Sequence, residues 1–380
     1  MTRGRPERDL VVFAYAYAAS ERDAVARVIG ELASELRRRG RNVSVIGIPA
    51  ESIVSAGGNG LEKIRRLRSE LSFIFRLLGV VVRKGHRLQA FVSVDVPSGL
   101  PLVGLFARRL SRGRVRDVAW VMDLYRLAGP SKNILTRART SVELIALRTT
   151  AEIVTIGSCM ASRIERLAHR PADVIPLWHR QMERQARFRQ SGEPLRLLYS
   201  GSARELHPLQ GLIAAVADRP GVELLISGSG AEVDRARDWL AVRPASNITI
   251  GGFVPETELQ RSYGDADLHV VALSEEMTGT CVPSKVYAAM SAGRGVFHLG
   301  SASGQAALDV MRADAGVVVP TGDVDSIGRA LDSLLADSSA VARQGENASS
   351  FFDGHRTVSA GADAWELVLY GDGLTTKVVS

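Results

Sequence analysis

Along the first half of the chain, short apolar runs alternate with longer stretches of helical spacing. Leu10–Ala16 reads as a strand. Val25, Val28, Ile29, Leu32 and Leu36 then recur on one face, which predicts a helix over Glu21–Arg39. Ser20 stands at its N-cap, Asp23 at the capping-box position, and Gly40 where a C-terminal stop belongs. Asn42–Ile48, Ala90–Val94, Asp117–Met122 and Glu152–Ile156 read as further strands, each followed by a helical stretch. Residues 171–194 break the rhythm. Pro171, Pro176 and Pro194 bracket a polar run, Arg180–Arg189, without an apolar stripe, the signature of a linker.

The alternation then restarts. Leu195–Tyr199 is a strand running into Ser200-Gly201-Ser202, and Leu209–Ala217 a helix. Val222–Ser227 runs into Gly228-Ser229-Gly230, Ala231–Leu240 is helical, and Asn247–Ile250 leads to Gly251-Gly252-Phe253-Val254-Pro255. Glu256–Tyr263, Ser284–Ala292 and Asp325–Leu335 read as helices, and Leu268–Leu273 and Gly295–Leu299 as strands. This pattern predicts an α/β protein of two doubly wound, Rossmann-like domains facing a central cleft, with ligand at the carboxyl ends of the strands. The expected boundaries are 1–178, a linker at 179–194, a second domain at 195–354, and a closing amphipathic helix within 355–371, near Val358–Leu369.

Composition narrows the class. Apolar content of 46% and charged content of 23% are those of a globular chain. Two cysteines, Cys159 and Cys281, make no disulfide framework and fit a reducing, cytoplasmic setting. The N-terminal apolar run reads as a first strand rather than a signal peptide. No apolar stretch reaches the ~20 residues a bilayer span needs; Leu71–Val82 comes closest and Arg76 interrupts it. Charge is uneven: residues 1–180 hold 31 Lys+Arg and 16 Asp+Glu, the remainder 17 and 25. The basic half suits an anionic membrane surface or an acidic acceptor, or is a solvated arginine-rich surface. Nucleic acid is not expected, because aromatics are 6% and no stacking motif is present. The segment Leu61–Arg87 mixes large apolar residues with Lys63, Arg65, Arg66, Arg68, Arg76, Arg83, Lys84 and Arg87. It reads either as a basic amphipathic helix at the inner membrane face or as a core helix with a charged outer side.

The sharpest chemistry lies at Pro283-Ser284-Lys285-Val286-Tyr287, followed by Ala288-Ala289-Met290-Ser291-Ala292-Gly293. Pro283 suits a helix start, Ser284 can cap exposed amides, and a helix N-terminus attracts a diphosphate. Lys285 adds a compact positive charge. The chain has 43 arginines and five lysines, so lysine is not its default cation. A surface lysine on a capped helix is the plain alternative. No metal is expected: Asp265-Ala266-Asp267 lies at a helix end, and Asp323-Val324-Asp325 reads as an N-cap. Gly228-Ser229-Gly230 lacks the later glycine of a dinucleotide fingerprint.

These motifs, in this order, resemble the donor half of GT-B glycosyltransferases of family 4, in the branch with a Pro-Ser-Lys helix. The run from Leu197 to about Ala336 carries the likeness, with Leu209-Gln210-Gly211 completing the glycine-rich first loop. In the first half, Val121-Met122-Asp123-Leu124-Tyr125 and Val174-Ile175-Pro176-Leu177-Trp178 are similar to segments of the same branch. The resemblance implies transfer of a sugar from a nucleotide-diphosphate sugar to a hydroxyl acceptor, lipid-linked or otherwise, in polysaccharide, glycolipid or glycoconjugate synthesis, without cofactor. The donor diphosphate and base are expected at Gly201, Ser202, Arg204, Gly228, Gly230, Phe253, Val254, Thr280, Pro283, Ser284 and Lys285, and catalysis at Asp123 and Glu276. The resemblance also implies that the last helix crosses back to the first domain.

The chain departs from the family at the two positions that usually hold glutamates, here Thr280 and Ala288. Glu275 and Glu276 can substitute, or form an exposed acidic loop. Gln210 replaces the usual lysine of the first loop, leaving Arg204 to supply charge. Asp123 can orient the acceptor hydroxyl or serve as general base, or simply cap the next helix. Retention of anomeric configuration is the family expectation. A sugar-nucleotide epimerase, or an inactive partner subunit of a transferase, are the alternatives.

Overall fold

The computed structural model describes residues 8–20, 23–49, 60–94, 97–127, 134–184, 189–254 and 256–371. They form two compact units, one of residues 1–177 with 358–380, the other of 178–357.

In the first unit the order is β1 (Leu10–Ala14), α1 (Ala24–Arg38), β2 (Asn42–Ile46), α2 (Gly60–Lys84), β3 (Leu88–Val94), α3 (Pro101–Leu110), β4 (Arg116–Val121), α4 (Ile134–Thr149), β5 (Glu152–Thr155), α5 (Ser158–Ala168) and β6 (Asp173–Val174). The strands pair in parallel in the order β2-β1-β3-β4-β5-β6. β1 is buried at every position, as a parallel strand covered on both faces must be. Asp23, not Ser20, caps α1: its carboxylate accepts from the Ala26 amide at 2.9 Å and from the Tyr15 hydroxyl at 3.1 Å. That second bond ties the helix start to the end of β1, which the capping-box spacing alone does not reveal. Glu21 and Arg22 lie outside the described residues.

The second unit runs β7 (Leu195–Ser202), α6 (Gln210–Ala217), β8 (Val222–Ser229), α7 (Ala231–Val242), β9 (Ile248–Gly251), α8 (Glu256–Asp265), β10 (Leu268–Ala272), α9 (Lys285–Ser291), β11 (Gly295–Leu299), α10 (Gln305–Arg312), β12 (Gly316–Val319), α11 (Val324–Ala336) and α12 (Ser338–His355). Its parallel sheet has the order β12-β11-β10-β7-β8-β9. The order reverses between β7 and β10, the switch point where such sheets hold ligand.

The chain then returns to the first unit as α13 (Val358–Tyr370). Trp365 is fully buried, its ring 4.5 Å from that of Trp120 and 5.7 Å from that of Phe13. Arg39 of α1 bonds Glu366 at 3.0 Å and Asp363 at 2.5 Å. The return helix therefore starts at Val358, and His355 ends α12 in the second unit.

The polar stretch expected to be a linker belongs to the second unit. Arg189, nearly fully buried, donates to the carbonyls of Glu193 (2.7 Å), Leu334 (3.1 Å) and Leu335 (3.2 Å), the last two at the open C-terminal end of α11. Arg184 pairs with Asp353 of α12 at 2.7 Å. A polar run without an apolar stripe is thus held by guanidinium–carbonyl and guanidinium–carboxylate bonds. Residues 185–188 lie outside the described residues.

One helix face of the first unit is left uncovered. On α2, Phe73, Leu77 and Val81 are buried, while Ile64, Leu67, Leu71, Phe75 and Val82 are exposed, Phe75 at 69%. At 100° per residue the exposed five fall within about 80° of one another, beside the buried stripe. Arg65, Arg68, Arg76 and Arg83 follow on the far side. Leu102, Phe106 and Leu110 of neighbouring α3 are also exposed. Among the described residues no helix is long and apolar enough to cross a membrane.

Candidate functional site

The carboxyl ends of β7 and β10 carry the loops that meet at the switch point. β7 ends in Ser200-Gly201-Ser202, and the loop after β10 leads through residues 273–284 into α9. Gly201 has φ +119°, and a Cβ there would collide with Lys285 Nζ and lie 2.7 Å from its Cε. The ammonium thus rests on the bare backbone of the glycine turn. Gly228, with φ +154°, packs its Cα on the Gly201 carbonyl so closely that a Cβ would overlap the oxygen. The two strand ends are locked together, and the lysine is locked onto them.

Lys285 is half-buried, its Nζ 5.3 Å from the centre of the buried Tyr199 ring. Burial pushes its pKa down to about 8. An ammonium partly withdrawn from water gains more from an incoming anion than one in bulk solvent. Beside it, His207 is pushed down to about 4 by burial and by the charges of Lys285 and Arg204. Its neutral Nδ1 accepts from the Arg204 amide at 3.3 Å. The Arg204 side chain is exposed. The loop is pinned from α7: buried Glu232 accepts from the Leu209 amide at 3.1 Å, and its own amide donates to the Ala203 carbonyl at 3.0 Å. Gly230 precedes α7.

Ser284 does not cap α9. Its backbone is already helical (φ −64°, ψ −17°), and its side chain makes no capping bond. Pro283 and Ser284 are half-buried beside Lys285. Thr280 is fully buried, and its hydroxyl donates to the Met277 carbonyl at 2.6 Å. Glu276 is exposed. Glu275 has both oxygens engaged, by the Thr321 amide (2.9 Å) and hydroxyl (2.8 Å). Burial raises its pKa, but these bonds outweigh that and hold it below the ordinary range. After β9, Phe253 is exposed and Val254 half-buried, while Ser227 Oγ donates to the Gly252 carbonyl at 2.7 Å.

In the first unit, Asp123 is half-buried in the loop after β4, between buried Met122 and Leu124. Asp267 accepts from the Arg196 amide at 2.8 Å, and Asp323 caps α11 through the Ser326 amide at 2.9 Å. Among the described residues no group of three or more His, Cys, Asp or Glu could hold a metal ion.

The second unit also has a cavity of about 580 Å³ between α8 and the sheet, lined by Leu198, Leu225 and Val254 and rimmed by Arg196, Glu223 and Asp265. It lies along the starts of β7 and β8 and carries both charge signs. The glycine turn with its lysine is the better anion site. What the sequence did not disclose is His207 and Glu232, which shape the loop; a polar residue's partner is a tertiary fact.

Residues 181–351 match the family model described as Glycosyl transferases group 1. No curated protein sequence matches the chain. Among solved structures, sucrose-phosphate synthase from Thermosynechococcus elongatus aligns with a TM-score of 0.73 at 16% identity, over 95% of this chain and 98% of that one. WaaG, a glycosyltransferase involved in lipopolysaccharide biosynthesis, aligns at 0.65 with 18% identity, over 95% and 100%. Anabaena Alr3699/HepE in complex with UDP and glucose aligns at 0.65 with 13% identity, over 95% and 99%. The chain thus has the two-domain, Rossmann-like GT-B fold, and its residues 181–351 are similar to the glycosyl transferases group 1 family.

Proposed function

We propose that this protein transfers a glycosyl unit from a nucleotide-diphosphate sugar to a hydroxyl acceptor. The observation that carries the reading is the Lys285 ammonium seated on Gly201 at the switch point of the second sheet. The diphosphate lies there, against the amides of Gly201 and Ser202, with Arg204 as a second cation and Gly228 and Gly230 completing the floor. Phe253 and Val254 flank the base. As the sugar–phosphate bond breaks, negative charge grows on the leaving diphosphate, and Lys285 stabilises it without a metal ion. Asp123 orients the acceptor hydroxyl, and Glu276 faces the glycosyl unit. Retention of configuration and membership of the Pro-Ser-Lys branch of family 4 rest on the Pro283-Ser284-Lys285 motif. Thr280 and Ala288 in place of the usual glutamates make the anomeric NMR signal of the product the deciding measurement for stereochemistry.

Lys285→Ala tests the assignment. Loss of about 2–4 kcal/mol of transition-state stabilisation, roughly 30- to 1000-fold in kcat, is expected. Unchanged turnover overturns it. Activity that survives EDTA supports the metal-free route.

The basic, apolar outer face of α2 supports a second element of the reading: the protein works at the inner face of an anionic membrane, on a lipid-linked acceptor. A second copy of the chain fits this face less well, because it would set Arg65, Arg68, Arg76 and Arg83 against their own kind.

A further inference from the structure

His298 lies near the end of β11, 2% exposed, on a strand buried throughout. Its Nδ1 is buried and has no hydrogen-bond partner among the described residues. A buried imidazole nitrogen left unsatisfied is costly, and alanine would fill the strand at no such cost. The surroundings are built around the ring. Gly300 has φ +153°, and a Cβ there would lie 3.0 Å from His298 Nε2 and 2.6 Å from the Leu273 carbonyl oxygen. Burial pushes the imidazole down to about 4 despite the nearby Glu275 carboxylate, so the ring is neutral, with one donor and one acceptor nitrogen. It borders a small recess lined by Thr278, Cys281, Pro283, Ser301 and Gln305. The recess has about 10 Å³ of room for a water centre, the space of a single oxygen.

The sheet order says which part of a donor comes near. Reading across it, the base segment follows β9, the Gly201–Lys285 pair sits at β7 and β10, and His298 is on the next strand, β11, paired in register with Val271 of β10. Four strand spacings separate β9 from β11, about 19 Å. A nucleotide sugar laid along that line, base first and diphosphate at the switch point, brings its glycosyl end over the loops after β10 and β11. Those loops line the recess.

Resting on the donor reading above, we propose that His298 is a donor-sugar positioning residue: its imidazole hydrogen-bonds one hydroxyl of the glycosyl unit, received in the one-oxygen recess beside Pro283. The residue thereby discriminates between donors that differ at that hydroxyl.

The test is isothermal calorimetry of wild type, His298→Ala and His298→Asn with UDP, GDP and ADP and with the hexose derivative of each, alongside thermal unfolding of each variant. The expected result is equal affinity of all three proteins for the bound nucleoside diphosphate. Its sugar derivative should bind roughly 5- to 100-fold more weakly to His298→Ala, with partial recovery in His298→Asn. Equal affinity of wild type and His298→Ala for the sugar derivative means that the recess holds water alone, and overturns the proposal. Equal weakening of diphosphate and sugar derivative assigns His298 to folding of the loop and also overturns it. If wild type binds none of the six ligands, the donor reading itself fails, an outcome distinct from the other two.

Discussion

At the residue scale, two side chains carry charge where water is scarce, with opposite consequences. Lys285 has its pKa lowered to about 8 by burial, so its charge is present at neutral pH and lost as pH rises through 8. The affinity of the bound nucleoside diphosphate is therefore expected to fall between pH 7 and pH 9. The decline should vanish in Lys285→Arg, whose charge persists, and calorimetry at fixed ionic strength reads it. Asp117, fully buried in β4, is the reverse case. Burial pushes its carboxyl up to about 6, against the Ala151 amide at 3.3 Å and Thr150 hydroxyl at 3.4 Å, which favour ionisation. A carboxylate whose folded pKa is raised destabilises the fold once ionised. The first unit should thus be most stable below about pH 4 with respect to this group, lose stability up to about pH 6, and then level off. Integrated over that shift the loss is about 3 kcal/mol. In Asp117→Asn this part of the pH dependence should disappear, which denaturant titrations at pH 4 and pH 7 would detect. An undiminished slope in the variant would place the pH dependence elsewhere.

At the scale of elements, α2 shows how one helix serves two solvents. Its buried stripe anchors it to the first sheet, and the adjoining exposed stripe leaves Ile64, Leu67, Leu71, Phe75 and Val82 facing outward with arginines alongside. Each basic residue near an anionic surface contributes about 1 kcal/mol, and the apolar side chains add their burial in the acyl boundary. Sedimentation with phosphatidylglycerol vesicles is expected to carry the protein down, and far less so with phosphatidylcholine. Leu71→Glu with Phe75→Glu should abolish the effect while leaving the unfolding transition in place, since both side chains already face water. No binding to anionic vesicles at low salt would remove the membrane from the reading. The basic amphipathic pattern of Leu61–Arg87 was legible in the sequence. Which apolar residues stay uncovered was not, because periodicity marks faces without saying what packs on them.

For the whole molecule, the alternation of apolar strand and amphipathic helix made the two Rossmann-like sheets legible. The misses have physical causes. Between Val341 and Phe351, α12 buries only Gln344, Gly345 and Ala348, so small and polar side chains interrupt its inner face. β12 is four residues long. Arg189 reads as linker in the sequence because its partners are α11 carbonyls, invisible to any pattern of side chains. At the site, the rarity of lysine singles out Lys285 in the sequence, whereas its seat on Gly201 is a tertiary contact. The return of α13 adds an aromatic side chain to the core of the first unit. Trp365 fills the space between Phe13 and Trp120, so Trp365→Ala removes the centre of an aromatic cluster and is expected to cost about 3–5 kcal/mol. Each unit has its own sheet and core, so the loss belongs to the first unit. On the proposed donor reading, a nucleoside diphosphate held by Lys285 would stabilise the second by about 2.7 kcal/mol at a hundredfold excess over Kd. Differential scanning calorimetry of Trp365→Ala should then show one transition lowered by the mutation and another raised by the ligand. If mutation and ligand instead move a single common transition, the two cores unfold as one cooperative block.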